Sequence, residues 1–384
     1  MPKVNSIFKI LFIVINIIPQ THSHSWTNWS GNQHCYPTQI EYPKTLEELT
    51  QIITFAVNAG HEIRPIGRGH SRSNLMCTNG YLVSLENLNQ ILSIDHKTLH
   101  VRTQAGITLT DLNRYLAQEG LALPNQPAIS EISLAGAIST ATHGGGQTAS
   151  LSSFVLEIEL ITSDGAIQII SRERDLELFK AAATSLGALG IIYAVTLQCV
   201  PLVQVKQHKS KQDLKEFLKI YKKLDKQYFH FKWNTQTDTV TIREWEPIND
   251  TENIKPSAQP CSQALTWHTP DDNNKDIASE IAIPFDQLPQ AISIISKILA
   301  KHKLHGIEIA EIIGRFTDQD KDSLLSPCCD GQVVYLSITT PVYDKYLALY
   351  QDIEESYISS GENHIGERLT FLIMKKPSSF METI

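Results

Sequence analysis

The sequence predicts an α+β protein built from two units. Three observations carry that expectation. Residues 45–66 read as a capped amphipathic helix followed by a short apolar strand that runs into a glycine-rich loop. Residues 155–200 read as β-rich runs turned by Ser163-Asp164-Gly165, and Asp-Gly between such runs signals a hairpin. Near residue 206 the character changes, and strands and helices alternate again. The boundaries that follow are a leader over 1–25, a first domain over 30–205 and a second over 206–384.

In chain order, Thr45 and Glu48 form a capping box, and Leu46, Leu49, Ile52, Ile53, Ala56 and Val57 mark one helix face that Gly60 ends. Strands are expected at 62–66, 81–84, 91–94 and 99–103, and a short helix at 110–119. After the hairpin come a helix at 176–183 and a strand at 191–200. The second unit should begin with a Lys-rich helix (211–224), followed by strands at 228–233 and 239–246. A polar linker (247–276) then leads to a strand at 279–283 and an amphipathic helix at 285–302. Strands at 307–316 and 333–339 and a helix at 343–359 complete it.

Composition narrows the function. The chain has 384 residues, 42% of them hydrophobic, which is ample for two cores. A formal net charge of -8 argues against a nucleic-acid partner, which would need a basic patch. No Walker loop, His-Glu-x-x-His, Gly-x-Ser-x-Gly, nicotinamide signature or metal site is visible. The six cysteines (35, 77, 199, 261, 328 and 329) lack Cys-x-x-Cys spacing, and their connectivity stays open. Lys3 and Lys9 precede the apolar run from Ile10 to Ile18, which is too short for a span of about 20 residues. This pattern reads as a signal peptide cut near Ser23 or Ser25, or as an uncleaved anchor. Either reading gives a protein that is exported or held at a membrane by its N-terminus.

Two stretches carry chemistry. Ile66-Gly67-Arg68-Gly69-His70-Ser71-Arg72-Ser73 closes a strand with a tight loop. Gly67 and Gly69 let backbone N–H groups crowd into an anion nest of the kind that holds a pyrophosphate. Ser71 and Ser73 add hydroxyls, Arg68 adds charge, and His70 adds a nucleophilic ring nitrogen. Ser133 to Gly146 is a run of small residues ending in Thr142-His143-Gly144-Gly145-Gly146. Such residues let a flat ligand lie against the backbone.

These motifs, with Trp26 to Asn32, Leu186 to Ile192 and Asp322 to Pro327, resemble the aldonolactone oxidases. That group includes the L-gulono-1,4-lactone, D-arabinono-1,4-lactone and alditol oxidases, vanillyl-alcohol-oxidase-type flavoproteins. The resemblance implies a p-cresol-methylhydroxylase-type FAD domain under an α+β cap. It implies FAD held at Ile66 to Ser71, Ser73, Gly136, Thr142, His143, Gly144, Gly145 and Ile192, and joined covalently to His70. His143 is equally readable as a structural histidine. Ser133 matches a serine near flavin and substrate.

The resemblance further implies oxidation of a hydroxyl on a sugar lactone or polyol, with oxygen or another acceptor reoxidising the flavin. In the family a Glu-x-Arg pair faces the substrate. Here Arg315 matches the arginine, but the residue two before it is Ile313. Glu311 is the substitute carboxylate, on the same face if a bulge near Gly314 resets the register. His364 and Gly366 match a C-terminal His-Trp-Gly-Lys motif whose lysine is Glu367 here. These departures support a second reading, a catalytically impaired flavin-binding relative of the same fold.

Overall fold

The structure is a computed structural model and describes residues 24–224, 227–248, 259–266, 276–304, 311–341 and 346–358. The chain opens with a small hairpin of β1 (Trp26–Thr27) and β2 (His34–Cys35). Strand β3 (Gln39–Glu41), helix α1 (Leu46–Asn58), β4 (Ile63–Ile66) and β5 (Tyr81–Ser84) follow. The last three strands form a parallel sheet in the order β3-β5-β4. Thr45 caps α1 by accepting from the Glu48 N–H at 3.1 Å. The Glu48 carboxylate accepts from the Lys44 N–H at 2.7 Å, one residue earlier than a capping box requires. Leu49, Ile53 and Ala56 are buried, and Gly60 ends the helix at φ +74°.

A second sheet combines β6 (Ile91–Asp95), β7 (His100–Gln104), β9 (Val155–Ile161), β10 (Ile167–Ser171) and β11 (Ile191–Gln198). Its order is β10-β9-β11-β7-β6, all antiparallel. Helices α2 (Leu109–Gln118), α3 (Leu134–Ser139) and α4 (Leu176–Ala183) pack on it through Leu112, Leu116, Ile138 and Phe179. Strands β8 (Leu121–Ala122) and β12 (Val200–Pro201) pair beside it.

From Gln204 a seven-stranded sheet takes over, in the order β16-β13-β15-β14-β18-β19-β17. The strands are β13 (Gln204–Asp213), β14 (Tyr228–Asn234), β15 (Thr239–Pro247), β16 (Gln259–Pro260), β17 (Asp276–Pro284), β18 (Glu311–Thr317) and β19 (Val333–Pro341). Helices α5 (Leu214–Ile220), α7 (Leu288–Lys301) and α8 (Leu347–Ile358) cover one face, and α6 (Cys261–Ala264) is a single turn beside β16. Side chains alternate along a strand, which decides what the other face carries. Phe229, Phe231, Trp233, Ile312, Phe316, Val334, Leu336 and Ile338 point to the helices. Residues 232, 280, 311, 313, 315, 335 and 337 are left on the opposite face.

Three expectations are corrected here. The Lys-rich helix expected at 211–224 starts three residues late: β13 runs to Asp213, and α5 begins at Leu214. Beyond its short pairing with β16 this strand is a sheet edge, and lysines there keep other chains from adding to it. No bulge resets β18, which pairs in unbroken register with both β14 and β19. Gly314 faces the helices instead, where a Cβ would collide with the Phe231 ring. The exported or membrane-anchored localisation is also corrected. No helix among the described residues is long and apolar enough to cross a membrane, and the apolar run that suggested it lies outside them.

Candidate functional site

Strand β4 delivers Ile66 into a buried position against Leu82 and Cys35, and the glycine loop starts at the next residue. At Gly67 a Cβ would overlap Ser133 Oγ, so the loop backbone lies directly on the start of α3. Gly69 sits at φ +70°, which favours glycine. The N-terminal hairpin clasps the carbonyl side of this loop. Trp29 N–H donates to Gly69 O at 2.8 Å, the Asn28 amide to Ser71 O at 3.0 Å and the Asn32 amide to Arg72 O at 2.8 Å. The Trp29 and His70 rings stack with centroids 5.1 Å apart. A Cys35–Cys77 disulfide, Cα–Cα 5.5 Å, ties the end of the clasp to the end of the loop.

Ser133 caps α3, its hydroxyl accepting from the Gly136 N–H at 3.3 Å. Beyond α3 the chain turns through Ala141 at φ +52° and reaches His143. Gly144 and Gly145 are not among the residues lining the cleft, and the side each leaves bare is packed against protein. A Cβ on Gly144 would meet Asn125 and Gln126, and one on Gly145 would meet Phe229 O and lie 3.3 Å from Arg315 Cγ. The run is sewn to the second unit: Phe229 N–H donates to Gly145 O at 3.3 Å and Gly146 N–H to Phe316 O at 2.9 Å. Its glycines are there for close approach of two backbones.

Between this seam and the glycine loop lies a cleft of about 600 Å³. One wall holds Gly67 to Ser73, Ser133, Gly136, Thr142 and His143, and the other holds Lys232, Glu280, Glu311, Ile313, Arg315, Tyr335 and Ser337. Arg315 Nη2 donates to Glu280 Oε1 at 2.8 Å, and His143 Nε2 lies 3.2 Å from Glu280 Oε2. The His143 ring stacks on Tyr335, with centroids 3.5 Å apart and planes 17° apart. Glu311 pairs with Lys232 at 3.2 Å. Burial pushes the Glu280 carboxyl up, but Arg315, His143 and Arg72 outweigh it and hold it down at about 2. Burial raises the Tyr335 phenol well above its ordinary value.

The fold thus brings Arg68, Gly69, His70, Ser71, Ser73, Ser133, Gly136, Thr142, His143, Glu311 and Arg315 to one cleft. Glu311, Ile313 and Arg315 share its wall because a strand repeats every two residues, with no bulge needed. Four expected positions lie elsewhere: Ile66 and Ile192 are 5% and 4% exposed in the core, Gly144 packs on Asn125 and Gln126 of the first unit, and Gly145 lies in the seam. His364, Gly366 and Glu367 lie outside the described residues. The sequence reading missed Glu280. Its signal was present: one carboxylate inside the apolar strand Ile277-Ala278-Ser279-Glu280-Ile281-Ala282-Ile283.

Comparison with known proteins agrees with this architecture. Residues 37–171 match an FAD binding domain family. The chain is 36% identical over 240 residues to an L-gulonolactone oxidase of Scyliorhinus torazame, covering 61% of this chain and 54% of that protein. It is 37% identical over 194 residues to an L-gulono-1,4-lactone dehydrogenase of Mycobacterium tuberculosis, covering 50% of this chain and 45% of that protein. It is 34% identical over 232 residues to a D-arabinono-1,4-lactone oxidase of Debaryomyces hansenii, covering 56% and 40%. The chain spans about half the length of the curated relatives it matches. A solved solvent-stable cholesterol oxidase superposes with TM-score 0.71 at 16% identity, over 89% of this chain and 85% of that one, a likeness of fold alone. Residues 37–171 thus match an FAD binding domain, the fold is the expected α+β type, and the resemblance to aldonolactone oxidases stands.

Proposed function

We propose that the protein is an FAD-dependent oxidoreductase that oxidises a hydroxyl of a sugar-1,4-lactone or polyol. The observation that carries this reading is the single cleft joining the glycine loop of an FAD binding domain to Arg315 and Glu311 on the facing sheet. The residues fit the cofactor: Gly67 and Gly69 hold the loop backbone close against Ser133 and the N-terminal clasp, and Arg68 and the hydroxyls of Ser71, Ser73 and Ser133 line the same cleft. In this reading the boundary between FAD and cap domains lies near residue 205.

When bound, FAD supplies the hydride acceptor at N5 and passes two electrons to oxygen or another acceptor. The rest falls to the chain's own residues. Gly67 to Ser73 hold the pyrophosphate, and His70 is the covalent anchor. Arg315 keeps a buried Nε–H without a partner among the described residues, a donor for the substrate oxygen. Glu311 takes the hydroxyl proton as the C–H bond gives up its hydride, so a carbonyl forms with charge and protons balanced.

The FAD-loaded protein, given L-gulono-1,4-lactone, D-arabinono-1,4-lactone and a series of alditols, should bleach at the flavin band without air and release peroxide in air. Comparing oxygen with a dye identifies the acceptor, a choice the relatives' names leave open, since they include oxidases and a dehydrogenase. Ile313 favours a second reading, the impaired flavin-binding relative. Bound flavin that no lactone or polyol reduces would select it.

A further inference from the structure

Glu280 sits where two cationic side chains from different parts of the chain converge, and both of its oxygens are used. Oε1 accepts from Arg315 Nη2 at 2.8 Å and Oε2 faces His143 Nε2 at 3.2 Å. The other nitrogen of His143, Nδ1, lies 2.9 Å from Gly144 O. A carbonyl oxygen can only accept a hydrogen bond, and so can an ionised carboxylate. His143 therefore needs an N–H on each nitrogen to satisfy both neighbours, and with two it is an imidazolium. Gly144 cannot retreat, because it is wedged against Asn125 and Gln126. The ring cannot swing, because it is stacked flat on Tyr335 and only 6% exposed.

From this geometry we infer that Glu280 is a positioning residue: it fixes the Arg315 guanidinium and keeps His143 charged, so that each wall of the cleft presents one immobile cation. The inference rests on the proposed use of the cleft by flavin and substrate. Catalysis gains most from charge that is already in place where negative charge develops. Without Glu280, Arg315 would be free to reorient and His143 would lose the acceptor for one of its two N–H groups. The charged and titratable groups facing this pair are Arg72 from the loop, Lys232 from β14, Glu311 and Arg315 from β18, and Tyr335 from β19. With Glu280 included, positive charge predominates.

The test uses FAD-loaded wild type, Glu280→Gln, Glu280→Asp and His143→Gln, with two readouts. The first needs no substrate: the midpoint potential of the bound flavin against pH. A glutamine can still accept from Arg315 but offers His143 no carboxylate. Glu280→Gln should therefore show an extra fall in potential with rising pH, as the unsupported charge on the ring is lost. Wild type and Glu280→Asp should lack that inflection, and His143→Gln should lie low at every pH. The second readout is the rate of flavin reduction by L-gulono-1,4-lactone at pH 8, expected to fall roughly tenfold to a hundredfold in Glu280→Gln at unchanged flavin content. Should Glu280→Gln fail to load flavin, Glu280→Asp against His143→Gln carries the same contrast. A potential curve and reduction rate equal to wild type would overturn the inference while leaving the proposed activity intact. The displaced curve without reduction of any lactone or polyol would uphold the inference and remove the activity.

Discussion

Arg315 and Glu280 form their 2.8 Å ion pair although their strands are not neighbours: β19 runs between β18 and β17, and the guanidinium reaches across it. The pair lies on the sheet face that the helices leave uncovered. A long, forked side chain is what spans that gap, so lysine is no equivalent. Arg315→Lys should keep the fold and the flavin but lower kcat/KM for a lactone by about a hundredfold. Steady-state kinetics beside a flavin spectrum would decide it, and near-normal turnover would rule out any need for the forked side chain.

Gly67 presses on Ser133. Gly67→Ala should weaken FAD binding at least about tenfold, since its Cβ must displace the Ser133 hydroxyl and with it the loop. Ser133→Ala in the same chain should recover part of the loss by removing the overlapping oxygen. Flavin content after dialysis reads both, and full retention in Gly67→Ala would show that the loop can shift freely.

His70 lines the cleft and stacks on Trp29. Acid precipitation of the wild type should leave the yellow colour in the pellet, and His70→Ala should release it to the supernatant. Colour in the wild-type supernatant would remove the covalent bond and leave the FAD binding domain as it is.

The Cys35–Cys77 bond closes a 42-residue separation around the loop and its clasp. Losing such a cross-link costs about 2–4 kcal/mol in the chain-entropy account. Cys35→Ser/Cys77→Ser should unfold at lower denaturant and lose FAD more readily. Equal urea midpoints with and without reductant would mean that the hydrogen-bonded clasp suffices alone.

Acid should destabilise the fold in two overlapping windows. Burial, then Arg315, Arg243 and Lys232, hold His230 down at about 3 from its ordinary 6.5. Between those values the unfolded chain takes up a proton that the folded chain refuses, so stability falls as pH falls. Glu280, held at about 2 against an ordinary 4.5, adds a second loss between pH 4.5 and 2. Urea unfolding at stepped pH should show both limbs. His230→Phe, which keeps a ring against Trp245, should flatten the limb between pH 6.5 and 4.5. A slope unchanged in that variant would assign it to other groups.

Much of this was legible in the sequence because the signals are local. Thr45 capping α1, the hairpin at Asp164-Gly165, the glycines after β4 and the placement of Arg315 each depend on a few neighbouring residues, through backbone preference and strand period. The start of the Lys-rich helix was misplaced by three residues because lysine suits both an exposed helix and a guarded sheet edge, and Lys211 stands on the strand. Only the tertiary structure could decide that Cys35 meets Cys77, that Gly145 and Gly146 form a seam, and that Glu280 stands between Arg315 and a histidine 137 residues earlier. Strand order settles those meetings, and it is set by how whole sheets bury their faces. No local window of the chain contains that information.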